Sequence, residues 1–414
     1  MLNKEKIKSG FLIVSWAMYD LANQFFALNV VSLYFVRWLT LEKKAPEILY
    51  SLSFGISTLF VAILGVILGY ISDTTQRRRP FLIWLTLLSI IFTILLGIDN
   101  IFLGLLFFAI ANFGCQTAVI FYNALMVNIT PREKVGLVSG LGKTFGYSGA
   151  ILALYLIKPI VLKSGYLATF LPTGILFFIF SLPCLIFIKD KYSKQDIAQN
   201  NKLNLSKIFR SLKETAFDAK AYPGLLDFLK AAFFGLAAVN AIILFMSVYA
   251  SRVFGLDEAQ VINLITFSTL FAILGSFLSG FISDYIGQKK TLCAVFILWG
   301  ISFFIGALTK EPRMYWFIGA LVGMALGATW VVSRALAIKI VPYEKIGAVF
   351  ALFNLVGYTS AIIGALFWGL ILIILSPWGE VGYRFALLSL ILFMVFGFIF
   401  LLRLPAAGRP AGTK

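Results

Sequence analysis

The sequence predicts an all-α membrane protein with twelve transmembrane helices, arranged as two parallel repeats of six helices. Hydrophobic residues make up 60% of the 414-residue chain, and charged residues make up only 13%. Apolar runs repeatedly exceed the ~20 residues that an α-helix needs to cross a bilayer. The second half of the chain also aligns with the first half without a gap, so both halves contain the same module.

The internal repeat has a constant offset of 211 residues, which is the separation between Asp73 and Asp284. At this offset Gly69-Tyr-Ile-Ser-Asp73 aligns with Gly280-Phe-Ile-Ser-Asp284, and Pro131 aligns with Pro342. Between residues 122–150 and 333–361, 12 of 29 aligned residues are identical. Unrelated apolar helices would share about two or three, so the halves are copies of one six-helix unit.

Apolar stretches place six predicted membrane segments in each half of the chain. The segments are Phe11–Leu39, Ile48–Ser72, Pro80–Ile98, Ile101–Val127, Gly136–Leu162, Tyr166–Lys189, Leu226–Arg252, Gln260–Asp284, Thr291–Leu308, Met314–Ile340, Ile346–Leu375 and Val381–Leu404. The first segment is too long for a cleaved signal peptide. We therefore expect an N-terminal bundle over residues 1–189, a cytoplasmic linker over residues 190–225 and a C-terminal bundle over residues 226–414.

The predicted linker is polar and rich in lysine, and it lacks a sustained apolar period. The apolar residues within it are Leu203, Leu205, Ile208, Phe209 and Leu212. Their spacing leaves two alternatives open, an irregular linker or a short amphipathic helix on the membrane surface.

The net charge of +17 comes from 35 basic and 18 acidic residues, and the basic residues are concentrated in alternate loops. This distribution follows the positive-inside rule. It predicts a multi-pass protein of a prokaryotic cytoplasmic (inner) membrane, with both termini in the cytoplasm. No basic stripe with interleaved aromatic residues lies outside these loops, so we expect no nucleic-acid partner.

The chain shows no constellation of residues that would support an enzymatic site. No histidine occurs in it, which excludes serine-type triads and histidine metal sites. Cys115, Cys184 and Cys293 lie in or at the ends of apolar segments and indicate no disulfide framework or metal site. Gly142-Lys143-Thr144 imitates the end of a phosphate-binding loop, but Leu137 stands where that motif requires a glycine. We expect no enzyme, no cofactor and no metal.

Two motifs near the cytoplasmic loops repeat at the same offset and are candidates for gates. They comprise Gly69, Asp73, Arg77 and Arg78 in the first half and Gly280, Asp284 and Lys289 in the second half. The glycine permits a tight turn, the aspartate faces a helix N-terminus, and the cations stay in the cytosol. Glu133 and Glu344 follow the fourth and tenth segments and are positioned to pair with these cations. Ordinary solvated loop charges are the alternative, because exposed ion pairs are weak.

Further motifs lie within the predicted segments. They are Trp16-Ala-Met-Tyr-Asp20-Leu-Ala-Asn23, Phe121-Tyr-Asn123-Ala-Leu125, Ser139-Gly-Leu-Gly142, Ser333-Arg334 and Phe353-Asn354. Together with the six-plus-six repeat, they resemble the major facilitator superfamily and, within it, the vacuole-effluxer-like branch. The resemblance implies the major facilitator fold and a transporter. Fungal members of this branch are autophagy-linked vacuolar amino-acid exporters. The chain departs from the pattern of the branch at Leu236-Ala-Ala238, Trp330 and Tyr358, so the substrate is not transferred from it.

Charged side chains inside membrane segments cost about 3 kcal/mol or more and are therefore functional candidates. They are Asp20, Lys143, Lys230 and Arg334. Lys230 lies close to the start of a segment, so we expect it to snorkel to the surface. Asp20 is the carboxylate expected deep in a segment, with an interfacial position as the alternative. Any coupling proton would therefore pass through Asp20.

The repeat exchanges the two remaining cations with amides, since Lys143 aligns with Asn354 and Arg334 aligns with Asn123. The resemblance implies that both cations face a central cavity between the halves. The substrate or coupling site is expected to comprise Asp20, Asn23, Tyr122, Asn123, Lys143, Trp330, Arg334 and Asn354. Two cations and one carboxylate suit a ligand that bears a carboxylate or phosphate. The alternative is that Arg334 or Lys143 locks a cytosolic gate.

These observations predict a monomeric secondary transporter that moves a small zwitterion or anion, such as an amino acid or short peptide, by alternating access. An ion gradient of protons or sodium, or the gradient of the substrate itself, would drive it. An exporter of lipophilic solutes or (lyso)phospholipids is the alternative within the transporter class, because 16% of the residues are aromatic. A transport-dead receptor or scaffold is the alternative outside it.

Overall fold

The computed structural model describes residues 2–75, 77–129, 135–190, 222–309, 311, 313–340 and 346–405. Within these ranges it describes the backbone alone at residues 2–9, 66, 70, 73–74, 127, 135–137, 139–140, 346–348, 350–351 and 376. Residues 191–221 of the predicted linker, which include its apolar residues, together with Glu133 and Glu344, therefore lie outside the described residues. The described chain contains helices and connecting turns but no strand, which confirms the predicted all-α class.

Twelve long helices follow one another along the described residues. Helix α1 covers residues 2–42, and the others are α2 (Glu47–Thr75), α3 (Arg79–Leu95), α4 (Ile101–Leu125), α5 (Val135–Ser164), α6 (Phe170–Phe187), α7 (Leu225–Phe254), α8 (Glu258–Ile286), α9 (Gln288–Leu308), α10 (Met314–Ile340), α11 (Ile346–Leu375) and α12 (Glu380–Arg403). Among the described residues, eleven helices are long and apolar enough to span a membrane, and α3 is a shorter apolar helix.

Some helix ends differ from the predicted segments. The third segment is predicted to reach Ile98, but α3 ends at Leu95, and tight-turn hydrogen bonds, such as that from the Gly97 N–H to the Ile94 carbonyl oxygen, follow it. Asn100 caps the next helix, α4, at its predicted start. The Asn100 side chain accepts a hydrogen bond from the Leu103 N–H at 3.0 Å, which satisfies a free N–H group of the first turn. Helix α8 begins at Glu258 because Asp257 and Gln260 form a reciprocal capping box.

Helix α1 departs from regular α-helical geometry over its second half. It is α-helical over Leu2–Gln24, and π-helical turns cover Phe25–Tyr34 and Trp38–Glu42. Buried Asn29 lies within the first of these and donates to the Thr173 hydroxyl of α6 at 3.3 Å. Inserted π turns rotate the residues that follow them and occur often near functional sites.

The described helices group into two compact units. Unit 1 lies within residues 1–45 and 56–208, and unit 2 lies within residues 46–55 and 209–414. The first turns of α2 therefore belong to unit 2, although the rest of α2 belongs to unit 1. Within unit 2, Tyr50 packs edge-on against Phe245 of α7 at 5.7 Å, and Glu47 binds the Tyr383 hydroxyl of α12.

Small residues bring neighbouring helices of one unit into close contact. In unit 2, a Cβ atom added at Gly327 of α10 would overlap the Ala272 backbone of α8, and one added at Gly364 of α11 would overlap the Ala237 backbone of α7. Glycine allows this approach because it has no side chain.

Candidate functional site

An ion pair between α1 and α5 is the centre of the candidate site in unit 1. Lys143 Nζ lies 3.5 Å from Asp20 Oδ1. The two partners differ in accessibility, since the Lys143 side chain is 51% exposed and that of Asp20 only 9%. The site therefore presents an accessible cation whose carboxylate partner is largely covered by protein.

Close packing of α5 on α1 holds the ion pair in place. A Cβ atom at Gly142 would lie 2.8 Å from the Trp16 ring and 3.0 Å from Asp20 Oδ2. About two turns further along, a Cβ atom at Gly149 would lie 2.5 Å from the Leu21 carbonyl oxygen. At these two positions the absence of a side chain lets α5 approach α1 closely within unit 1.

Three stacked aromatic rings form the wall of the site next to Asp20. The Trp16 and Tyr122 rings stack at 4.5 Å, and those of Tyr19 and Tyr122 stack at 4.8 Å. Trp16 Nε1 donates to the Tyr122 carbonyl oxygen at 3.1 Å, and the Tyr19 hydroxyl lies 2.7 Å from the Thr86 hydroxyl of α3. These contacts fix the backbone turn that carries Asp20.

The Tyr122 hydroxyl is buried and lies close to the Asp20 carboxylate. It makes no hydrogen bond of normal geometry with any part of the chain that the structure describes. Buried hydroxyls are normally hydrogen-bonded, and exceptions are concentrated at functional sites. This hydroxyl is therefore a candidate donor to the Asp20 carboxylate or to a solute bound beside it.

Asn23 is held in place by a hydrogen bond from Cys115, which the sequence does not identify as a site residue. The Cys115 thiol of α4 donates to Asn23 Oδ1 at 2.8 Å. Sequence patterns indicate only that Cys115 lies in an apolar segment, and Asn112 and Gln116 nearby are the signal that α4 carries polar groups. Asn123, which follows Tyr122 on α4 and is also expected in the site, has an exposed side chain.

The remaining predicted site residues belong to unit 2. Trp330 and Arg334 are half-buried on α10, next to the buried Ser333. Asn354 on α11 is exposed. Of the predicted site residues, the structure brings Asp20, Lys143 and Tyr122 together on three helices of unit 1.

The predicted gate motifs have a different structural setting from the one expected. Gly69 lies inside α2 and Gly280 inside α8, so neither glycine turns a loop. Apart from the helix that carries each glycine, no atom of the described residues lies within 4 Å of a Cβ atom added at Gly69 or Gly280. The side chain of Asp73 lies outside the described residues, and those of Asp284 and Arg77 are exposed.

Cations at the start of the third helix of each unit bind the end of the last helix. In unit 1, Arg79 Nε donates to the Leu185 carbonyl oxygen near the end of α6 at 2.9 Å. The neighbouring Arg78 instead reaches the end of α4, where its Nη1 donates to the Ala124 carbonyl oxygen at 3.1 Å. In unit 2, Lys289 Nζ donates to the Leu402 carbonyl oxygen at 3.0 Å. Cations at helix C-termini satisfy free carbonyl groups and the negative end of the helix dipole.

The fold and the chain's relatives agree on the class of protein. A crystal structure of a bacterial homologue of the human lysosomal transporter Spinster, inward-facing and unoccupied, superposes with a TM-score of 0.74. The superposition covers 96% of this chain and 98% of the other at 15% identity. The YxiO protein of Bacillus subtilis, described as an uncharacterized MFS-type transporter, is 24% identical over 94% of both chains. The protein is a multi-pass membrane transporter of the major facilitator type.

A family match that covers most of the chain shows the family within this class. Residues 36–409 match the family described as "Vacuole effluxer Atg22 like". The chain belongs to this family, as its membrane-segment motifs suggest. An uncharacterized protein of Aquifex aeolicus is also similar to it, at 28% identity over 90% of this chain and 91% of that protein.

Proposed function

We propose that this transporter moves a small zwitterionic or anionic solute, with an amino acid or short peptide favoured, and that Lys143 binds its carboxylate. The observation that carries the proposal is the 51% exposed Lys143 ammonium held beside a covered carboxylate. A cation embedded in a membrane segment is costly to maintain, so a role in binding is the default interpretation. Charge-assisted hydrogen bonds to carboxylate or phosphate are the strongest that an ammonium group makes.

The surroundings of the ion pair favour an organic solute over a bare ion. The stacked Trp16, Tyr19 and Tyr122 rings supply apolar surface directly beside Asp20. Ligand sites typically combine such surface with a few well-placed polar groups. Arg334 and Asn354, related to Asn123 and Lys143 by the repeat, are the proposed contribution of unit 2 to substrate recognition.

The setting proposed for this activity is a prokaryotic cytoplasmic membrane, with both termini cytoplasmic and the transporter acting as a monomer. Alternating access would be driven by a proton or sodium gradient, or by the gradient of the solute. The alternating distribution of basic loops supports this orientation. Asp20 is the proposed carrier of a coupling proton.

A thermal-shift screen of the purified protein tests the proposed solute class. A ligand that binds the folded state alone raises the apparent stability. We expect leucine or alanyl-alanine to raise the melting temperature, and their methyl esters to raise it less. Uptake of the same solutes into proteoliposomes then separates transport from binding. Stabilisation by neither acid, together with an absence of flux, would favour a receptor or scaffold.

An exposed aromatic face on α8 supports the lipophilic-solute alternative. Phe277 and Phe281 are 65% and 64% exposed, their rings lie 4.9 Å apart, and Tyr285 follows one turn later at 92% exposure. Such a face suits acyl chains of bilayer lipid or of a carried lipid. Lysophospholipid in the same screen distinguishes this candidate, since stabilisation by lysolipid and not by amino acids would favour it.

A further inference from the structure

We propose that two cations at one end of unit 2 bind the phosphate headgroup of an anionic phospholipid, whose acyl chains lie along α12. The cations are Lys230, in the second turn of α7, and Arg403, the last residue of α12. The ligand is a lipid of the surrounding bilayer and not the transported solute, so the inference goes beyond the proposed function and does not depend on it.

A single aromatic ring brings the two cations together. Lys230 Nζ and Arg403 Cζ each lie 5.3 Å from the centre of the Phe400 ring, within the ~6 Å at which a ring attracts a cation. The two charged groups are therefore separated by no more than twice that distance. Phe400 is itself held by α7, because its ring stacks on that of Phe234 with 5.9 Å between centroids.

Both cations are exposed and have no carboxylate partner within the part of the chain that the structure describes. Asp227 precedes Lys230 by three residues but forms no ion pair with it. Asp227 lies in the first turn of α7, where the helix dipole stabilises a carboxylate. The positive charges of Lys230 and Arg403 are thus not neutralised by these helices.

A third cation binds the backbone around Arg403. Lys289 Nζ donates to the Leu402 carbonyl oxygen at 3.0 Å and also to that of Leu404. These bonds satisfy free carbonyl groups at the end of α12. The Arg403 guanidinium therefore keeps its hydrogen-bond donors for an external anion.

An exposed apolar strip on α12 ends at Arg403. Leu392, Phe396 and Ile399 are 58%, 50% and 39% exposed, and they share one helix face with Arg403 because successive members are three or four residues apart. Leu392 lies ~16 Å along the helix from Arg403, which is close to half of a ~30 Å hydrocarbon core. The strip therefore has the length of one leaflet, with the cation at the level of the headgroups.

This combination of groups fits an anionic glycerophospholipid. Arginine binds phosphate oxygens through two parallel donors, and lysine adds a point charge. Long cationic side chains at helix ends reach the headgroup region, and basic pockets between membrane helices on the cytoplasmic side bind anionic headgroups. In the proposed orientation this end of unit 2 is cytoplasmic. A choline headgroup carries its own cation, which Lys230 and Arg403 would repel.

Native mass spectrometry of the full-length protein in detergent tests the site by titration with phosphatidylglycerol and with phosphatidylcholine of the same acyl chains. The double variant Lys230→Gln/Arg403→Gln should lose phosphatidylglycerol affinity by at least about tenfold and change little towards phosphatidylcholine. Lys339→Gln is the matched control. Lys339 is exposed at the same end of unit 2, where it donates to Gln288 Oε1 at 2.9 Å. Equal phosphatidylglycerol affinity in wild type and the double variant would overturn the inference, and so would an equal loss in Lys339→Gln.

Two further measurements separate a built lipid site from general attraction of anions. Glycerol 3-phosphate, which has the phosphate without acyl chains, should not displace phosphatidylglycerol at equal concentration, and equal displacement would overturn the assignment to lipid. Phe400→Leu keeps both charges but removes the ring, and it should weaken phosphatidylglycerol binding several-fold. Thermal unfolding without added lipid checks that each variant folds. Wild-type lipid affinity in a folded Phe400→Leu protein would contradict the role of the ring.

Discussion

Asp190 caps the first turn of α3 by accepting a hydrogen bond from the Arg79 backbone N–H. The Arg79 side chain in turn caps the end of α6. Both Asp190 carboxylate oxygens accept from the Arg79 backbone N–H at 3.2 Å, and Oδ1 also accepts from that of Arg78 at 3.1 Å. The Arg79 guanidinium meanwhile donates to the Leu185 and Ile186 carbonyl oxygens at the end of α6. One residue pair thereby joins the beginning of α3 to the end of α6.

Asp190→Ala should lower the free energy of unfolding by about 1 kcal/mol, because the α3 N-terminus loses its acceptor. Thermal unfolding in detergent measures the change. Asp190→Asn is the matched control and should retain most of the stability, since asparagine caps as well as aspartate does. Equal losses in both variants would show that charge, not capping, accounts for the contact.

Gly142→Ala should reduce both stability and solute binding. The added methyl group would lie 2.8 Å from the Trp16 ring and 3.0 Å from Asp20 Oδ2, so these side chains or the helices that carry them must shift. Overpacking of this kind costs about 1–3 kcal/mol. Gly300→Ala on α9 is the control, because no atom lies within 4 Å of a Cβ there. That control should be neutral or stabilising, as alanine is the better helix former. Unchanged unfolding of Gly142→Ala would contradict the close packing.

Tyr122→Phe separates a role in function from a role in packing. The ring stack with Trp16 and Tyr19 is retained, and the hydroxyl that is lost makes no normal hydrogen bond within the described chain. Stability should therefore stay within about 0.5 kcal/mol of wild type. Solute uptake should fall, because the hydroxyl beside Asp20 is lost. If uptake is unchanged, the hydroxyl serves packing alone.

The prediction for Asp73 of the gate motif rests on the sequence alone, because the side chain of Asp73 lies outside the described residues. Asp73→Asn should shift the population towards the inward-facing state and reduce transport without reducing expression. Cysteine probes placed on the cytosolic side should react faster in this variant. The same reaction rates as in wild type would argue against a gating role for Asp73.

The architecture is predictable from the sequence because two strong patterns determine it. Apolar length identifies membrane helices, and the 211-residue repeat identifies the module. The transporter class is confirmed, and the predicted bounds of α10, Met314–Ile340, are those observed. The start of α8 differs from its predicted position at Gln260 because the Asp257 capping box begins the helix at Glu258, whereas α4, capped by Asn100, begins at Ile101 as predicted.

The residues of the site can be identified from the sequence more readily than the contacts between them. Asp20 and Lys143 are both identifiable as embedded charges, but their pairing depends on the rotation of α1 against α5. That rotation is set by Gly142 and Gly149, whose role follows from tertiary packing and not from spacing alone. The Cys115 contact with Asn23 was missed for the same reason. The sequence places Asp190 in the linker and does not reveal its contacts, because its partners precede it by more than a hundred residues.

The affinity of wild type and Lys143→Gln for leucine and for leucine methyl ester tests the central claim most directly. Glutamine keeps much of the length and a hydrogen-bond donor but removes the charge. Lys163→Gln, an exposed cation at the end of the same helix, controls for the change in net charge. We predict that Lys143→Gln weakens leucine binding at least about tenfold, or about 1.4 kcal/mol, and changes ester binding far less. Unchanged affinity for both compounds in Lys143→Gln would contradict recognition of the solute carboxylate by Lys143.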